Sequence, residues 1–432
     1  MTPIPRDLPL PLPASAFYLE PLLVVAFVAH IVFVNLLVGS SLLVFGLELR
    51  GRKDRDFDRL ARALATTLTV NKSLAVVLGV APLLIISVLY TMQFYTANAL
   101  TGTAWIGLIP GITVTFVLLY LHKYSWDRLQ DAKGTHLGIL GIAVALLLFI
   151  PLVFLTNVNL MTFPDRWTAV RGFLDALTLP NVLPRYLHFL GASLVLTSLF
   201  CVAWFGRASY PVEEVFERLT RPQLRRMFYS VAFVVSLAQF VIGPVVLLTL
   251  PSRGINAVVL AEIGAGVALA IPAVWMLWKE MVDPESGRRF FKIVGLLTVT
   301  VLMMALGRHN YRYVALREHR RAVARETAAW QLASEAARVQ ARTGVPAAGA
   351  APDGAALFAS SCSGCHAKDT RLVGPPLTEI AQVYQGNPAG IVAWAKAPGK
   401  KRADMPPMPA MAAVGDANLR AIAEYMLKAG AP

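Results

Sequence analysis

Five consecutive residues carry the most specific chemistry in the sequence: Cys362-Ser363-Gly364-Cys365-His366. Two thiols at this spacing can reach the two vinyl groups of one haem, and the imidazole that follows then lies beneath the iron as its proximal ligand. A zinc half-site would need a second cysteine pair, and the only other cysteine is Cys201. A redox dithiol would sit in a βαβ setting, which the neighbouring sequence lacks. The reading is covalent haem c. A thioether on the distal side raises the potential of such a haem. The run from Asp404 to Met411 supplies three methionines among prolines, just before the last helix. Spacing from that helix favours Met408, with Met405 second. Lys400, Lys401 and Arg402 form a basic rim beside the loop, either a solvated face or a docking surface for an acidic redox partner.

A second set of residues stands within or beside long apolar runs, where ionisable side chains are costly and functional by default. His30 lies about midway along the first run. His188 falls near the start of the fifth, Glu262 at a similar depth on the seventh, and His309 just past the eighth. The last three share one layer, with His30 somewhat deeper. Imidazoles gathered in one half of a bilayer can hold haem iron, and the alternative is a set of hydrogen-bonded core residues. His122, Lys123, His136 and Lys72 lie near the opposite ends of their runs, where snorkelling accounts for them. Cys201 reads as packing. Met92, Met161, Met303 and Met304 are soft ligands in principle, but methionine is common filler.

The elements that must position these residues follow from composition. The chain has 432 residues, 56% hydrophobic and only 15% charged, against about 45–50% and about 25% in soluble domains. Apolar runs recur at 17–49, 65–92, 105–122, 137–155, 186–205, 228–250, 257–277 and 293–307, each near the ~20 residues that a membrane-crossing helix needs. The expected fold is all-α: a polytopic transmembrane helical bundle of about eight spans over 1–308, then a charged helix and flexible linker over 309–353, then a small all-α cytochrome c domain over 354–432. Within that domain helices are expected at 355–362 and 417–428.

The net charge of +14 does not point to nucleic acid, because its placement is topological. Arg50, Arg52, Lys53, Arg55, Arg59 and Arg62 follow the first span; Lys123, Arg128 and Lys133 follow the third. Arg207, Arg218, Arg221, Arg225 and Arg226 follow the fifth, and Lys279, Arg288, Arg289 and Lys292 the seventh. The alternate connections are poor in positive charge: 95–104 has none, and 251–256 has only Arg253. By the positive-inside rule both termini and the haem c domain lie outside the cytoplasm, at a bacterial inner membrane. The first 15 residues lack a cleavable signal pattern, so the first span is expected to serve as the insertion signal.

Several stretches carry a family resemblance. These are His30-Ile-Val-Phe-Val-Asn35 and the residues up to Gly39 in the first span, Tyr124-Ser-Trp126-Asp127-Arg128-Leu129 after the third, and Asn157 through Met161 to Pro164 after the fourth. Leu187-His188 in the fifth and Gly307-Arg308 at the end of the eighth complete the set. With these in place, residues 17–310 resemble subunit I of the cytochrome bd oxidase superfamily, and the tail resembles that superfamily's cytochrome c-fused branch. The resemblance implies His30 as axial ligand of a high-spin haem, His188 as ligand of a low-spin haem, and Arg308 on a haem propionate. It implies one or more haem b groups, with a d-type haem possible. The chain also departs from the family. Glu262 stands where the second low-spin ligand is a methionine. Ala305 stands where a glutamate holds the second high-spin haem, with Met304 and His309 nearest. Acids of the third span have no counterpart between Ile106 and Leu121, and a ninth span is missing. The 251–256 connection is too short for the family's quinol loop, so haem c is expected to replace quinol as the point of electron entry.

Two functions follow, with a third behind them. One is a terminal oxidase-like subunit fed by a periplasmic cytochrome c or similar redox protein. The other is an electron-transfer-only membrane cytochrome linked to a partner subunit or the quinone pool, favoured by the missing acids. A scaffold keeping only haem c comes last. Membrane lipid is an expected partner. By resemblance, so is a second copy or a paralogous membrane subunit.

Overall fold

Backbone amides in a hydrocarbon layer have no water to bond, so each apolar run closes its hydrogen bonds within a helix. A computed structural model describes residues 12–343, 352–400 and 406–431; the side chains of 68–72, Lys72 among them, and of 340–343 lie outside the description. Every regular element among the described residues is helical. The first unit holds α1 (Ala16–Gly51), α2 (Arg55–Leu89), α3 (Thr91–Ile106), α4 (Leu108–Tyr124), α5 (Lys133–Leu160), α6 (Phe173–Leu177), α7 (Val182–Gly206), α8 (Val212–Val215), α9 (Arg221–Leu248), α10 (Ala257–Val282) and the start of α11 (Phe290–Thr343).

Seven helical segments are long and apolar enough to cross a membrane, counting α3 with α4 as one, and α2 carries an eighth, shorter apolar stretch, Ser73–Leu89. The chain is a multi-pass membrane protein. Large apolar side chains such as Ile109, Leu248 and Phe291 stand exposed, as a lipid-facing surface requires. Two expectations are refined. Residues 95–104 are helical rather than an open connection: α3 buries Phe94 and Ala97 against Leu160, Met161, Trp167 and Ala176. Gly102, at φ 44°, bends this segment in a backbone region that favours glycine. The charged stretch beyond Gly307 continues the last span as one helix to Thr343.

The connections sort onto two faces. On the basic face, Arg62 grips Asp127 through two 2.7 Å bonds, and Asp56 accepts from the backbone N–H groups of Glu217, Arg218 and Leu219. Burial alone would raise the Asp56 pKa; those three N–H donors and Arg59 outweigh it and hold the carboxyl below its usual range. On the opposite, cap face, Arg253 Nη2 donates to Thr162 O at 2.6 Å and Asp165 Oδ1 at 2.8 Å. Asn181, in the left-handed region just before α7, donates to Val246 O at 2.6 Å and Thr249 Oγ1 at 2.9 Å. The short 251–256 connection and the long one after α5 are thereby tied together.

The chain divides inside α11 into units spanning 1–324 and 325–432. The second contains α12 (Gly354–Ser361), α13 (Leu377–Tyr384), α14 (Pro388–Lys396) and α15 (Asp416–Ala429), close to the expected helices. Its core is Phe358, Leu377, Ile380, Ile391, Ile422, Ala423 and Met426.

Candidate haem sites

Asp353 caps α12 by accepting from Ala355 N at 3.0 Å, and the helix delivers Cys362 at its end. Cys365 N then bonds Cys362 O at 3.1 Å and His366 N bonds the same carbonyl at 3.0 Å, a tight turn that fixes the three side chains relative to one another. His366 Nδ1 lies 2.8 Å from Pro375 O. A carbonyl only accepts, so Nδ1 carries the proton and Nε2 keeps its lone pair for a metal. Gly374 packs directly on the ring: a Cβ there would stand 2.4 Å from His366 Cε1, so any other residue would push the imidazole out of place.

The three side chains open onto a cavity of about 290 Å³, lined also by Ile380, Trp394, Met408, Met411 and Met426. A histidine with a free Nε2, two thiols and facing thioethers in an apolar cavity fit a covalent haem. The redox-dithiol alternative needs a thiol held at low pKa; burial, and then the neighbouring Cys365, push the Cys362 thiol up instead. Nor do the two sulfurs and the imidazole converge as ligands of one metal ion among the described residues. Met408 lines the cavity; Met405, Lys401 and Arg402 lie outside the described residues, as does most of the 344–354 linker.

In the bundle, α1 and α7 run parallel. Ser193 Oγ donates to Asn35 Oδ1 at 2.9 Å, and His30 and His188 each precede that contact by five residues. The two histidines therefore sit within about a helical turn of one depth, rather than His30 lying deeper. They meet different neighbours. The His30 ring lies against Gly79 of α2, where a Cβ would come within 2.8 Å of Cε1. His188 stands beside Gln239 of α9, whose Nε2 donates to the His188 carbonyl at 2.9 Å. Nδ1 of each histidine is buried without a hydrogen-bond partner.

The other expected residues cluster toward the cap face. Asn310 Nδ2 donates to Glu262 Oε1 at 2.6 Å, and Glu262 Oε2 is buried and unpartnered. His309 Nε2 lies 3.8 Å from Glu20 Oε2. Both terminal nitrogens of Arg308 are buried and unpartnered. The side chain lies in electrostatic range of Arg185 and Arg312, each with a buried unpartnered nitrogen of its own. Tyr311 and Tyr90 line this group, 5.5 Å from Arg308 and 5.1 Å from Arg312. An unpaired buried charge costs more than a paired one. Three guanidiniums with spare donors fit an anionic ligand, and two imidazoles with a bare ring nitrogen fit a metal centre. Iron porphyrin carries both features, with carboxylates on one edge.

Sequence reasoning missed Arg185 and Arg312. Their signal was periodic: Arg185 stands three residues before His188, and Arg312 four after Arg308, each on one helix face. It also misread His122 and His136. Both are buried rather than snorkelling, and both bond Glu48, an acid at the end of the first apolar run.

Residues 351–430 match the family model for cytochrome c, and this stretch is a cytochrome c domain. A comparison with curated proteins gives no match. Among solved structures, the bd oxidase from Geobacillus thermodenitrificans superposes with a TM-score of 0.54 at 13% identity, covering 69% of this chain and 86% of that one. The likeness is one of fold: the bundle has the helical architecture of that bd oxidase.

Proposed function

We propose that this chain is a terminal oxidase-like haem subunit that takes electrons from a soluble redox protein through haem c and passes them to non-covalent haems in the bundle. The observation that carries the reading is the concentration of buried, unpartnered imidazole and guanidinium nitrogens toward the cap face, in a chain that also bears a cytochrome c domain. His188 would hold a low-spin haem b, and Arg185, Arg308 and Arg312 would neutralise propionates. His30 would hold a second, high-spin haem from one side. When bound, a haem with a single protein ligand supplies an open position for oxygen or another small oxidant.

The residues of this chain do the positioning. Gln239 and Gly191 fix the backbone at His188. Gly79 gives His30 room to stand on edge. Pro375 selects the His366 tautomer. The basic loop near Lys400 would receive an acidic donor, and the compartment would be the periplasmic side of a bacterial inner membrane. A second copy or a paralogous membrane subunit would complete the assembly.

An electron-transfer-only reading has one observation in its favour: Glu262 Oε1 is already engaged by Asn310, where the resemblance expects a thioether ligand. A carbon monoxide difference spectrum of the reduced protein separates the two. The oxidase reading predicts a bound form in addition to the haem c spectrum. If the reduced protein takes up neither carbon monoxide nor cyanide, that reading fails and simple electron transfer replaces it.

A further inference from the structure

Toward the basic face a second buried cluster stands apart from the residues assigned to electron transfer. Glu48 lies in the last turn of α1, His122 in the last turn of α4 and His136 in the first turn of α5. All three are closed off, at 0%, 1% and 0% exposure. One ligand atom from each lies within 4.8 Å of the others. The two rings stack at 4.0 Å, and Trp126 closes over them edge-on at 5.1 Å and 4.7 Å.

The hydrogen-bond pattern calls for a positive charge at its centre. His136 Nε2 lies 2.8 Å from His122 O, so that nitrogen carries the proton. With no further cation, Nδ1 of His136 would turn a bare lone pair toward Glu48 Oε1, and two acceptors would face each other. The other carboxylate oxygen lies 2.7 Å from His122 Nε2. The nearby cation cannot fill the role, because Lys133 Nζ is paired with Asp58 at 2.7 Å and lies over the Trp126 ring. A cation must occupy the centre, either a proton or a metal ion. The field favours the higher charge. The carboxylate and the negative ends of α1 and α4 converge there, opposed by the positive end of α5 and by Lys133, whose charge Asp58 offsets, with each helix end worth about half a charge. His136 also has the outer bond to a backbone carbonyl that metal-bound histidines make.

We propose that Glu48, His122 and His136 bind a divalent transition-metal ion of the zinc class, clamping three helices together at the basic end of the bundle. Two imidazoles and a carboxylate are a common set for such ions, with bonds of about 2.0–2.2 Å. Ligands of one tetrahedral ion stand about 3.4 Å apart, so binding would open the two short Glu48 contacts by somewhat under an ångström while the three ligand atoms, now within 4.8 Å of one another, draw round the ion.

The test is elemental analysis of the full-length, haem-loaded protein, purified on a tag without histidines, with haem iron counted separately. The expected result is about one equivalent of non-haem metal per chain. It should fall about tenfold or more in Glu48→Gln and His136→Gln while haem c absorbance is kept. X-ray absorption at the edge of that metal should give only nitrogen and oxygen neighbours, which checks the site without relying on a variant. Wild-type protein that stays metal-free after zinc is added and the excess removed would overturn the proposal and leave a shared proton as the cation. So would sulfur neighbours in the absorption spectrum, or metal retained in both variants.

Discussion

The haem c region and the haem site proposed in the bundle answer one problem at different scales. In the C-terminal unit, the attachment residues fall within five positions and the supporting carbonyl of Pro375 only nine residues beyond His366. In the bundle, the candidate ligands His30 and His188 come from α1 and α7, and Arg185 of α7 meets Arg308 and Arg312 of α11 only when helices far apart in sequence pack. A covalently held haem can rely on a local turn, because the thioether bonds supply retention. A haem held by one ligand bond and propionate contacts would rely on a wide ring of partners drawn from several helices. The c site is therefore expected to tolerate change around it and to fail only at its few defining residues. The bundle site should lose function in smaller steps.

That contrast can be broken at its strongest point first. Cys365→Ala should abolish covalent haem staining of the chain while leaving the non-covalent haem spectrum in place; loss of both would show that the two regions are not independent. Next in size, His188→Ala should remove the low-spin b signal and leave haem c unchanged, and an unaltered b spectrum would reassign that ligand. Met408→Ala should eliminate the methionine-to-iron charge-transfer band and lower the haem c potential; a persistent band would move the distal bond to Met405 or Met411. The smallest effect is expected from Arg312→Gln. Removing one of three cations beside a bound haem should lower its midpoint potential by an amount on the order of tens of millivolts, which a redox titration of the b band measures. A rise would contradict the placement of this charge near the haem.

The legibility of each region follows the same division. The all-α class, the spans and the terminal domain could be read from apolar length and charge placement, because lipid permits few alternatives. Cys362, Cys365 and His366 were readable because their chemistry is set by adjacent positions. His30 and His188 stood out as polar residues in apolar runs, but that they lie level with each other depends on the Asn35–Ser193 contact between α1 and α7. Helix α3 was unreadable as a packed element because its polar threonines and asparagine look like a connection, whereas its buried face depends on α5 and α6. His122 and His136 were misread for a related reason. An imidazole near the end of a span looks the same whether it reaches for water or for Glu48, and the partner lies 74 and 88 residues away.

The central claim is that buried nitrogens in the bundle hold haem without a covalent link, alongside the covalent haem of the tail. A pyridine haemochrome spectrum of the purified full-length protein tests it most directly. The prediction is one c-type haem and at least one b-type haem per chain, with only the latter removed by acid acetone. A spectrum of c-type haem alone would contradict it.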